Sequence, residues 1–470
     1  MYNTELLSLV VMYYSLFGVE LMNNNKKILG SFPKKVFGIF TTIRRHHTLE
    51  NYPKDVHGCI GYWDNNFNNL QRSVIYDHLL RVSHDSMWKD KRREYFKPIE
   101  TEPQSILEID FMLNPIYEID KNTGIIVKLN KVFNNKHFGI IIQTNNKRAT
   151  YLPNVFLNIH WKELLESIKE KAGIMSESDN FQLFAYKIHQ IKSSYIEILT
   201  NGLFTHLTIM YFSRFLILNR DLNAPYLFPY SCKNNKLIWN HEEQVRNISM
   251  LGMIYKYTQI FSNLAYKYEI NQIKRKISII LKNLDRYSPQ SLSFLGFIYQ
   301  LHNIENTHFC DKLISRLKNR HIDQEFELPE IIIGLNNAGC KIKKSFAFTS
   351  EDSIFKINWI IQAVISNNQK PSYALIRLLE EKITNILLKK QTTETNFLAV
   401  AFEALCFVYK SKFKHIKKSK LKENILNKMF ELLYELEKRK NCHYLYSFLD
   451  KTSRIDITGH VINGLSALSL

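Results

Sequence analysis

The feature that most limits how this chain can fold is a change in hydrophobic periodicity near residue 195. Before this point, strand-like and helix-like stretches alternate along the sequence. The strand-like runs are Val36 to Ile43, Ile106 to Leu113, Gly124 to Leu129 and Phe138 to Thr144, and the helix-like runs are Asn69 to Ser83 and Trp161 to Lys171. This interleaving predicts an α/β or α+β domain over residues 1–200.

After this point the strand signal nearly vanishes, and helix-like stretches follow one another. They are Thr205 to Asn219, His241 to Ser262, Leu264 to Leu284, Pro289 to Leu301, Ser353 to Ser366, Tyr373 to Leu388, Glu394 to Tyr409, Leu421 to Arg439 and Ile457 to Leu468. Prolines fall in the connections or at helix starts. The pattern predicts a second, all-helical domain of paired helices over residues 201–470, without a fixed repeat period.

Length and cysteine content agree with two domains in a reducing compartment. A chain of 470 residues exceeds what one hydrophobic core usually spans. The six cysteines have no CxxC spacing, which argues against a zinc site and a compact disulfide framework. We therefore expect reduced thiols, a cytoplasmic location and no metal site. No residue pattern identifies a cofactor.

The charge of +19 could reflect a nucleic acid, membrane-surface or acidic partner. The lysines are scattered, however, and only Lys410 to Lys422 forms a basic cluster, which a solvated connection between helices explains. The apolar stretch Leu6 to Val19 lacks the basic segment and the cleavage site of a signal peptide. Thr205 to Leu218 is too short to span a bilayer. Both are interpreted as buried helices of a soluble protein without a membrane partner.

A glycine-flanked cysteine is the most specific motif. In "HGCIGYW", Gly58 and Gly61 surround Cys59 and allow close approach of backbone or ligand. Cys59 would be a nucleophile or redox thiol if a cation lowered its pKa, and the candidate cations are His57, Arg44 and Arg45. Alternatively, Cys59 is a buried structural residue.

A basic segment, Met87 to Tyr95, places Asp90 among four cations. One interpretation is a phosphate- or RNA-binding edge, with Arg92 as a bidentate donor and Trp88 or Tyr95 as a stacking face. The alternative is a charged loop in which Asp90 forms local caps and salt bridges.

A hairpin is predicted over Asn135 to Pro153, with Asn145 and Asn146 at its turn. His137 either points into a cleft or is a satisfied histidine at a strand start. Further on, Lys171 and Gly173 are typical of a helix C-terminus and need no ligand.

Several motifs in a fixed order give the first domain a family resemblance. The order runs from "FPKKVFGIFTTIRR" through "HGCIGYW", "SMWKDKRREYFKPIETEPQSILEIDFML" and "HFGIIIQTNNKRATYLPNVFLNIHWKELLESIKEKAGI". It resembles the AMMECR domain family over roughly residues 5–200. The resemblance implies an antiparallel sheet with flanking helices and a cleft near the GCIG element. The ligand-binding residues that it implies are Gly58, Gly61, Arg44, Asp90, Arg92, His137 and Pro153. The family has no settled biochemical activity.

Four positions depart from the family pattern. His57 stands where arginine is usual, Lys91 replaces a proline, Asn154 replaces a glutamine and His160 replaces a glycine. An anion contact through His57 would depend on pH.

The helical half loosely resembles α/α-toroid proteins, which include glycan-active enzymes. In a toroid, helix N-termini converge on one mouth, where carboxylates could act as acid and base. The candidates are Glu242, Glu243, Arg246, Asp456 and His460, although paired carboxylates at a helix start also act as caps.

Three functions are compatible with the sequence. The first is an intracellular enzyme or binding module for a phosphate-bearing ligand, a nucleotide or RNA, with Cys59 and His57 as catalytic candidates. The second is a non-catalytic scaffold whose helical domain binds a protein partner. The third is a carbohydrate-active helical domain with an accessory first domain.

Overall fold

The chain divides into two compact units, residues 1–197 and residues 198–470. The computed structural model describes residues 2–21, 26–30, 32–45, 56–92, 103–156, 159–174, 180–200, 202, 204–205, 207–208, 231–233, 236–238, 248–250, 286–288, 291, 293, 327–337, 339–340, 342, 344–413, 420–440, 445–447 and 452–469. The predicted helix over Leu264 to Leu284 lies outside the described residues, and those over Thr205 to Asn219, His241 to Ser262 and Pro289 to Leu301 lie mostly outside them.

The first unit is built on one antiparallel sheet, which confirms the predicted fold class. Its strands, in the order in which they pair, are β2 (Val56–Trp63), β1 (Val36–Arg44), β3 (Ile106–Glu118), β8 (Gln182–Ser194), β6 (Gly139–Gln143) and β7 (Arg148–Tyr151). Two short strands, β4 (Ile125–Ile126) and β5 (Lys131–Val132), pair separately.

The sheet curls until its two edge strands meet. The guanidinium of Arg148 on β7 lies 4.7 Å from the centre of the Trp63 ring on β2, at the opposite end of the strand order. The inner face of the curl holds an apolar cluster of Phe37, Met112, Ile141, Leu152 and Tyr186, and Cys59 packs against this cluster. The curl therefore gives the unit an interior that is distinct from the cores under its helices.

Helices cover the outer face of the curl. The first unit has α1 (Tyr2–Phe17), α2 (Lys26–Leu29), α3 (Arg72–Trp88) and α4 (Trp161–Ala172), and α5 (Glu197–Thr200) begins at its last residue and continues into the second unit. Helix α3 packs on β1 and β2, where Thr41 and Ser86 share a 2.9 Å hydrogen bond between their hydroxyls. Helix α4 buries Leu164 and Ile168 against β6, β7 and β8. It ends at Gly173, whose φ of 68° is the predicted left-handed cap.

Some strands were harder to predict than others. The predicted strand over Gly124 to Leu129 is strand only at Ile125–Ile126 and continues as a 3-10 helix over Val127–Leu129. Strand β8 was not predicted, because its sequence, QLFAYKIHQIKSS, mixes exposed polar and buried apolar positions irregularly. It is nevertheless a central strand, since it pairs with both β3 and β6.

The second unit is a helical region. Its described helices from Glu327 onward are α6 (Glu327–Asn337), α7 (Ile354–Ser366), α8 (Tyr373–Leu388), α9 (Thr395–Val408), α10 (Lys420–Lys438) and α11 (Ile455–Ser469). Ser353 and Ser372 cap α7 and α8 by accepting hydrogen bonds from the backbone N–H groups of Lys356 and Leu375. Helix α9 is buried along most of its length and packs on α7, α8, α10 and α11.

The second unit also contains a small antiparallel sheet. It pairs β10 (Lys236–Ile238), β9 (Ser231–Lys233), β12 (Thr452–Arg454) and β11 (Leu445–Ser447). Strands of three residues carry too little periodicity to be predicted from sequence. The toroid arrangement of the helices stays a prediction.

Gly58→Ala should destabilise the first unit. A Cβ at Gly58 would lie 1.9 Å from the backbone carbonyl oxygen of Ser86 on α3, and a backbone atom cannot rotate away as a side chain can. We expect a loss of about 3 kcal/mol in the free energy of unfolding, measured by urea titration.

The control is Gly202→Ala, in the second unit, because a Cβ at Gly202 meets nothing within 4 Å. It should change the free energy of unfolding by no more than about 1 kcal/mol. Equal effects of the two variants would show that α3 does not press on β2 as described.

Candidate functional site

Cys59 lies on β2 directly opposite Thr42 on β1, facing the interior of the curl. The Thr42 hydroxyl donates a hydrogen bond to Cys59 Sγ at 3.2 Å. The two flanking glycines make room for protein atoms. Gly58 lies against the backbone of α3, and a Cβ at Gly61 would lie 2.3 Å from the ring of Phe40. Close packing therefore explains both glycines without a ligand.

Asp90 and Arg92 clamp the backbone of Cys59 from the segment after α3. Asp90 Oδ2 accepts from the Cys59 N–H at 2.9 Å, and Arg92 Nη2 donates to the Cys59 carbonyl at 3.3 Å. The two side chains also bind each other, through Nε to Oδ1 at 2.9 Å and Nη2 to Oδ2 at 2.6 Å. The bidentate fork of Arg92 is thus occupied by Asp90, as in the local salt bridge considered above. Lys91, beside them, is exposed.

The thiol of Cys59 is held in its neutral form. Burial raises its pKa, and the nearby carboxyl of Asp110 acts in the same direction. The hydrogen bond from Thr42 and the charges of Arg92 and Lys171 lower the pKa but do not overcome burial. The expectation of a thiolate activated by cations is not supported by these surroundings.

Asp110 is a buried acid that sequence reasoning missed. It faces the same interior from β3, is 1% exposed, and accepts a hydrogen bond from Gln190 Nε2 at 2.7 Å. Burial and the neighbouring charge of Glu108 raise the pKa of Asp110 to about 7. The signal was present in the sequence, since ILEIDFML contains two acids at alternate positions of an otherwise apolar strand.

Glu108 binds two cations beside Asp110. Its carboxylate oxygens lie 2.7 Å from Arg44 Nε and 2.6 Å from Lys192 Nζ. Arg44 is 8% exposed and is therefore part of this buried ion-pair group. Its role as a ligand contact stays a prediction.

Cations and aromatic rings lie together at the rim of the interior. Lys171 Nζ donates to the Thr150 carbonyl at 2.8 Å and lies 4.3 Å from the centre of the Tyr151 ring. Its charge acts on both Cys59 and Arg92, which places the three groups near one another. Lys171 therefore does more than interact with its helix C-terminus. Arg148 stacks on Trp63 a short distance along β7.

The remaining first-domain candidates are not brought to this rim by any described contact. His57 is 4% exposed on β2, next to Gly58. His137 is exposed in the turn before β6, where its backbone N–H donates to the Asn134 carbonyl. Pro153 is buried, and Asn154 after it has a φ of 64°, a conformation that asparagine adopts more readily than glutamine.

In the second unit, Glu242, Glu243 and Arg246 lie outside the described residues. Asp456 is paired with Arg454 on β12, through Oδ1 to Nε at 3.0 Å and Oδ2 to Nη2 at 2.5 Å. His460, one turn further along α11, accepts or donates a 2.7 Å hydrogen bond between Nδ1 and Glu403 Oε2. Glu403 is a further residue that sequence reasoning missed.

Three general properties were also predicted from the sequence. Among the described residues, no group of three or more histidine, cysteine, aspartate or glutamate side chains is arranged to hold a metal ion. Across the same part of the chain, every helix is too short or too polar to cross a membrane. Cys340 is disulfide-bonded, so the prediction of reduced thiols is wrong for this residue, whereas Cys59 and Cys406 are free.

Asp110 should make stability depend on pH. In the unfolded chain its pKa is near 3.9, and in the folded protein it is about 7, so the folded state binds the proton more tightly. Its contribution is fully present below about pH 4 and is lost as the pH rises to about 7. Relative to Asp110→Asn, the native protein should lose about 4 kcal/mol across this window. Urea unfolding at each pH measures the difference; parallel curves for the two proteins would contradict the assignment.

Comparison with known proteins gives one match. No curated protein and no solved structure matches the chain. The AMMECR1 family model matches residues 18–191, which is less than half of the chain and covers β1 to β7 and most of β8. Over residues 18–191 the chain is thus similar to the AMMECR1 family, which confirms the resemblance predicted from its motifs.

Proposed function

We propose that the first unit is a binding module for a phosphate-bearing ligand, a nucleotide or RNA, that docks at the rim formed by Lys171, Arg148, Tyr151 and Trp63. The observation that carries the proposal is the environment of Lys171. The residue is exposed, although burial of its ammonium lowers its pKa, and its described contacts are a backbone carbonyl and an aromatic ring, with no carboxylate among them. Such a cation has its charge available for an anion.

The aromatic rings beside the cations favour a nucleotide over free phosphate. Tyr151 and Trp63 are partly buried and each is paired with a cation, at 4.3 Å and 4.7 Å. Bases stack on such rings while the cations contact the backbone phosphates.

Binding is supported better than catalysis by Cys59. A nucleophilic cysteine needs thiolate character, and burial here raises the pKa of Cys59. The hydrogen bond described for the Cys59 thiol comes from the Thr42 hydroxyl, which is not a general base. In the proposed module, Cys59 and Thr42 form the floor below the rim.

A scaffold function of the helical unit is supported less well. The exposed large apolar side chains of Tyr373 and Leu388 lie at opposite ends of α8, about 22 Å apart at 1.5 Å per residue. Phe397 on α9 is 36% exposed. Separated apolar residues are normal on a protein surface and do not define a docking patch. A cytoplasmic location remains a prediction, and the disulfide at Cys340 counts against it.

Lys171→Gln should weaken nucleic-acid binding. With a fluorescein-labelled ten-nucleotide single-stranded RNA as the probe, we expect the dissociation constant measured by anisotropy to rise about tenfold. The slope of the logarithm of the dissociation constant against the logarithm of the salt concentration should also decrease, by the equivalent of about one phosphate contact.

The matched control is Lys162→Gln, which removes an exposed lysine from the first turn of the same helix. If both variants lost the same affinity for the RNA, the loss would follow from the lower overall charge, and a site at Lys171 would be contradicted. Competition by ATP and by inorganic phosphate separates a nucleotide site from a simple anion site.

Cys59 should alkylate slowly at neutral pH. Because its pKa is raised by burial, the iodoacetamide reaction should show an apparent pKa above 9, with Cys59→Ser identifying the reacting residue by mass spectrometry. A fast reaction with an apparent pKa well below 8.5 would overturn the binding-only assignment and return Cys59 to the role of nucleophile.

A further inference from the structure

The helical unit contains a buried carboxyl group that is bonded by side chains from two neighbouring helices. Glu403 on α9 is 0% exposed. Its Oε2 accepts from Asn358 Nδ2 on α7 at 2.7 Å and is bonded to His460 Nδ1 on α11 at 2.7 Å. Its Oε1 accepts from Asn463 Nδ2, also on α11. Both oxygens of the carboxylate are therefore satisfied by side chains from its neighbours.

A further amide, that of Gln362, links two of these side chains to each other. Gln362 on α7 donates to Asn358 Oδ1 at 3.1 Å and accepts from Asn463 Nδ2 at 3.3 Å. Asn358, Gln362 and Asn463 are all at most 3% exposed. A fixed set of donors around a buried carboxyl group satisfies its hydrogen-bonding capacity, which apolar side chains of similar size could not do.

The network orients the imidazole of His460. Since Nδ1 binds Glu403, the other ring nitrogen, Nε2, is left at the opposite side of the ring. Among the described residues, none hydrogen-bonds Nε2, and the side chain is 12% exposed. The Trp359 ring lies beside the imidazole, with 6.0 Å between ring centres. A histidine whose one nitrogen is fixed by a carboxylate presents the other as a positioned acid or base.

The surrounding charges restrict what could approach Nε2. Burial alone would lower the pKa of His460, but the charge and hydrogen bond of Glu403 raise it above its usual value, and Asp456 and Glu330 act in the same direction. These carboxylates on α9, α11 and α6 repel an anion, and the protonated imidazole repels a cation. Arg454 is paired with Asp456. A neutral ligand with hydroxyl groups is repelled by neither kind of charge. The ring of Trp359 offers an apolar face for the carbon skeleton of such a ligand.

We propose that His460 is the acid–base residue of a second site, in the helical unit, that takes a small neutral hydroxyl compound, with Glu403 as its positioning residue. The site is independent of the nucleotide rim, since every group in it belongs to the second unit. In the proton step, Nε2 of the neutral imidazole takes the proton of a bound hydroxyl, so that the O–H bond breaks and an Nε2–H bond forms, and Glu403 pairs with the resulting imidazolium. Return of this proton to the oxygen restores the neutral imidazole and the hydroxyl.

Carbethoxylation by diethyl pyrocarbonate tests the accessibility of Nε2, because only the neutral imidazole reacts. In the folded native protein, peptide mapping should show modification of His460 with an apparent pKa above the usual 6.5. His137, exposed in its turn, is the internal reference in the same digest. Glu403→Gln should lower the apparent pKa, so that His460 reacts severalfold faster at pH 6 than in the native protein. No modification of His460 until the protein unfolds would overturn the proposal.

Two further measurements keep the test decisive if Glu403→Gln does not fold. The NMR titration of His460 in the native protein, assigned by the signal lost in His460→Asn, should give the same elevated pKa. Glycerol, glucose and inositol as probes should slow the carbethoxylation of His460 and leave that of His137 unchanged. Protection by inorganic phosphate alone, or by none of the probes, would overturn the neutral hydroxyl ligand.

Discussion

The close packing of α3 on the β1–β2 hairpin is the contact on which the first unit depends. Gly58 lies directly under the Ser86 carbonyl, and the Ser86 hydroxyl bonds both the Thr41 carbonyl at 2.9 Å and the Ile60 N–H at 3.0 Å. This contact fixes the end of α3, and so the position of Asp90 and Arg92 just beyond it. The clamp on Cys59 follows, because Asp90 can reach the Cys59 N–H only from there.

Two kinds of polar group share the inner face of the curl, and they differ in how they are neutralised. Glu108, Arg44 and Lys192 neutralise one another, whereas burial raises the pKa of Asp110 and the pKa of Cys59 and so opposes their ionisation. Lys171 is neutralised by neither route and, like Arg148, has no carboxylate among its described contacts. The charge that remains for a ligand is therefore at the rim, and the interior below it is balanced.

The helical unit also buries a carboxyl group, in a network of hydrogen bonds. Both oxygens of Glu403 are bonded by amides and an imidazole supplied by α7 and α11. Helices α7 and α11 are thereby joined through the central α9 by polar contacts as well as by apolar packing. Because each donor comes from a different turn or helix, the network specifies how the three helices are arranged, and this arrangement leaves only one nitrogen of His460 outside it.

The sequence by itself determined the fold class of this protein and, in the part of the chain that the structure describes, most of the boundaries of the longer helices, because periodicity and capping are local. Tyr373–Leu388 and the left-handed Gly173 were both predictable in this way. The order of motifs likewise identified the AMMECR1-type region. Only the tertiary structure decided which of the polar residues meet. From the sequence, Asp110 is part of a strand and Lys171 is part of a helix end. Both lie near Cys59 because the sheet curls. Glu403 and His460 are 57 positions apart and meet because α9 and α11 pack together. Such pairings depend on long-range packing, which local periodicity does not encode.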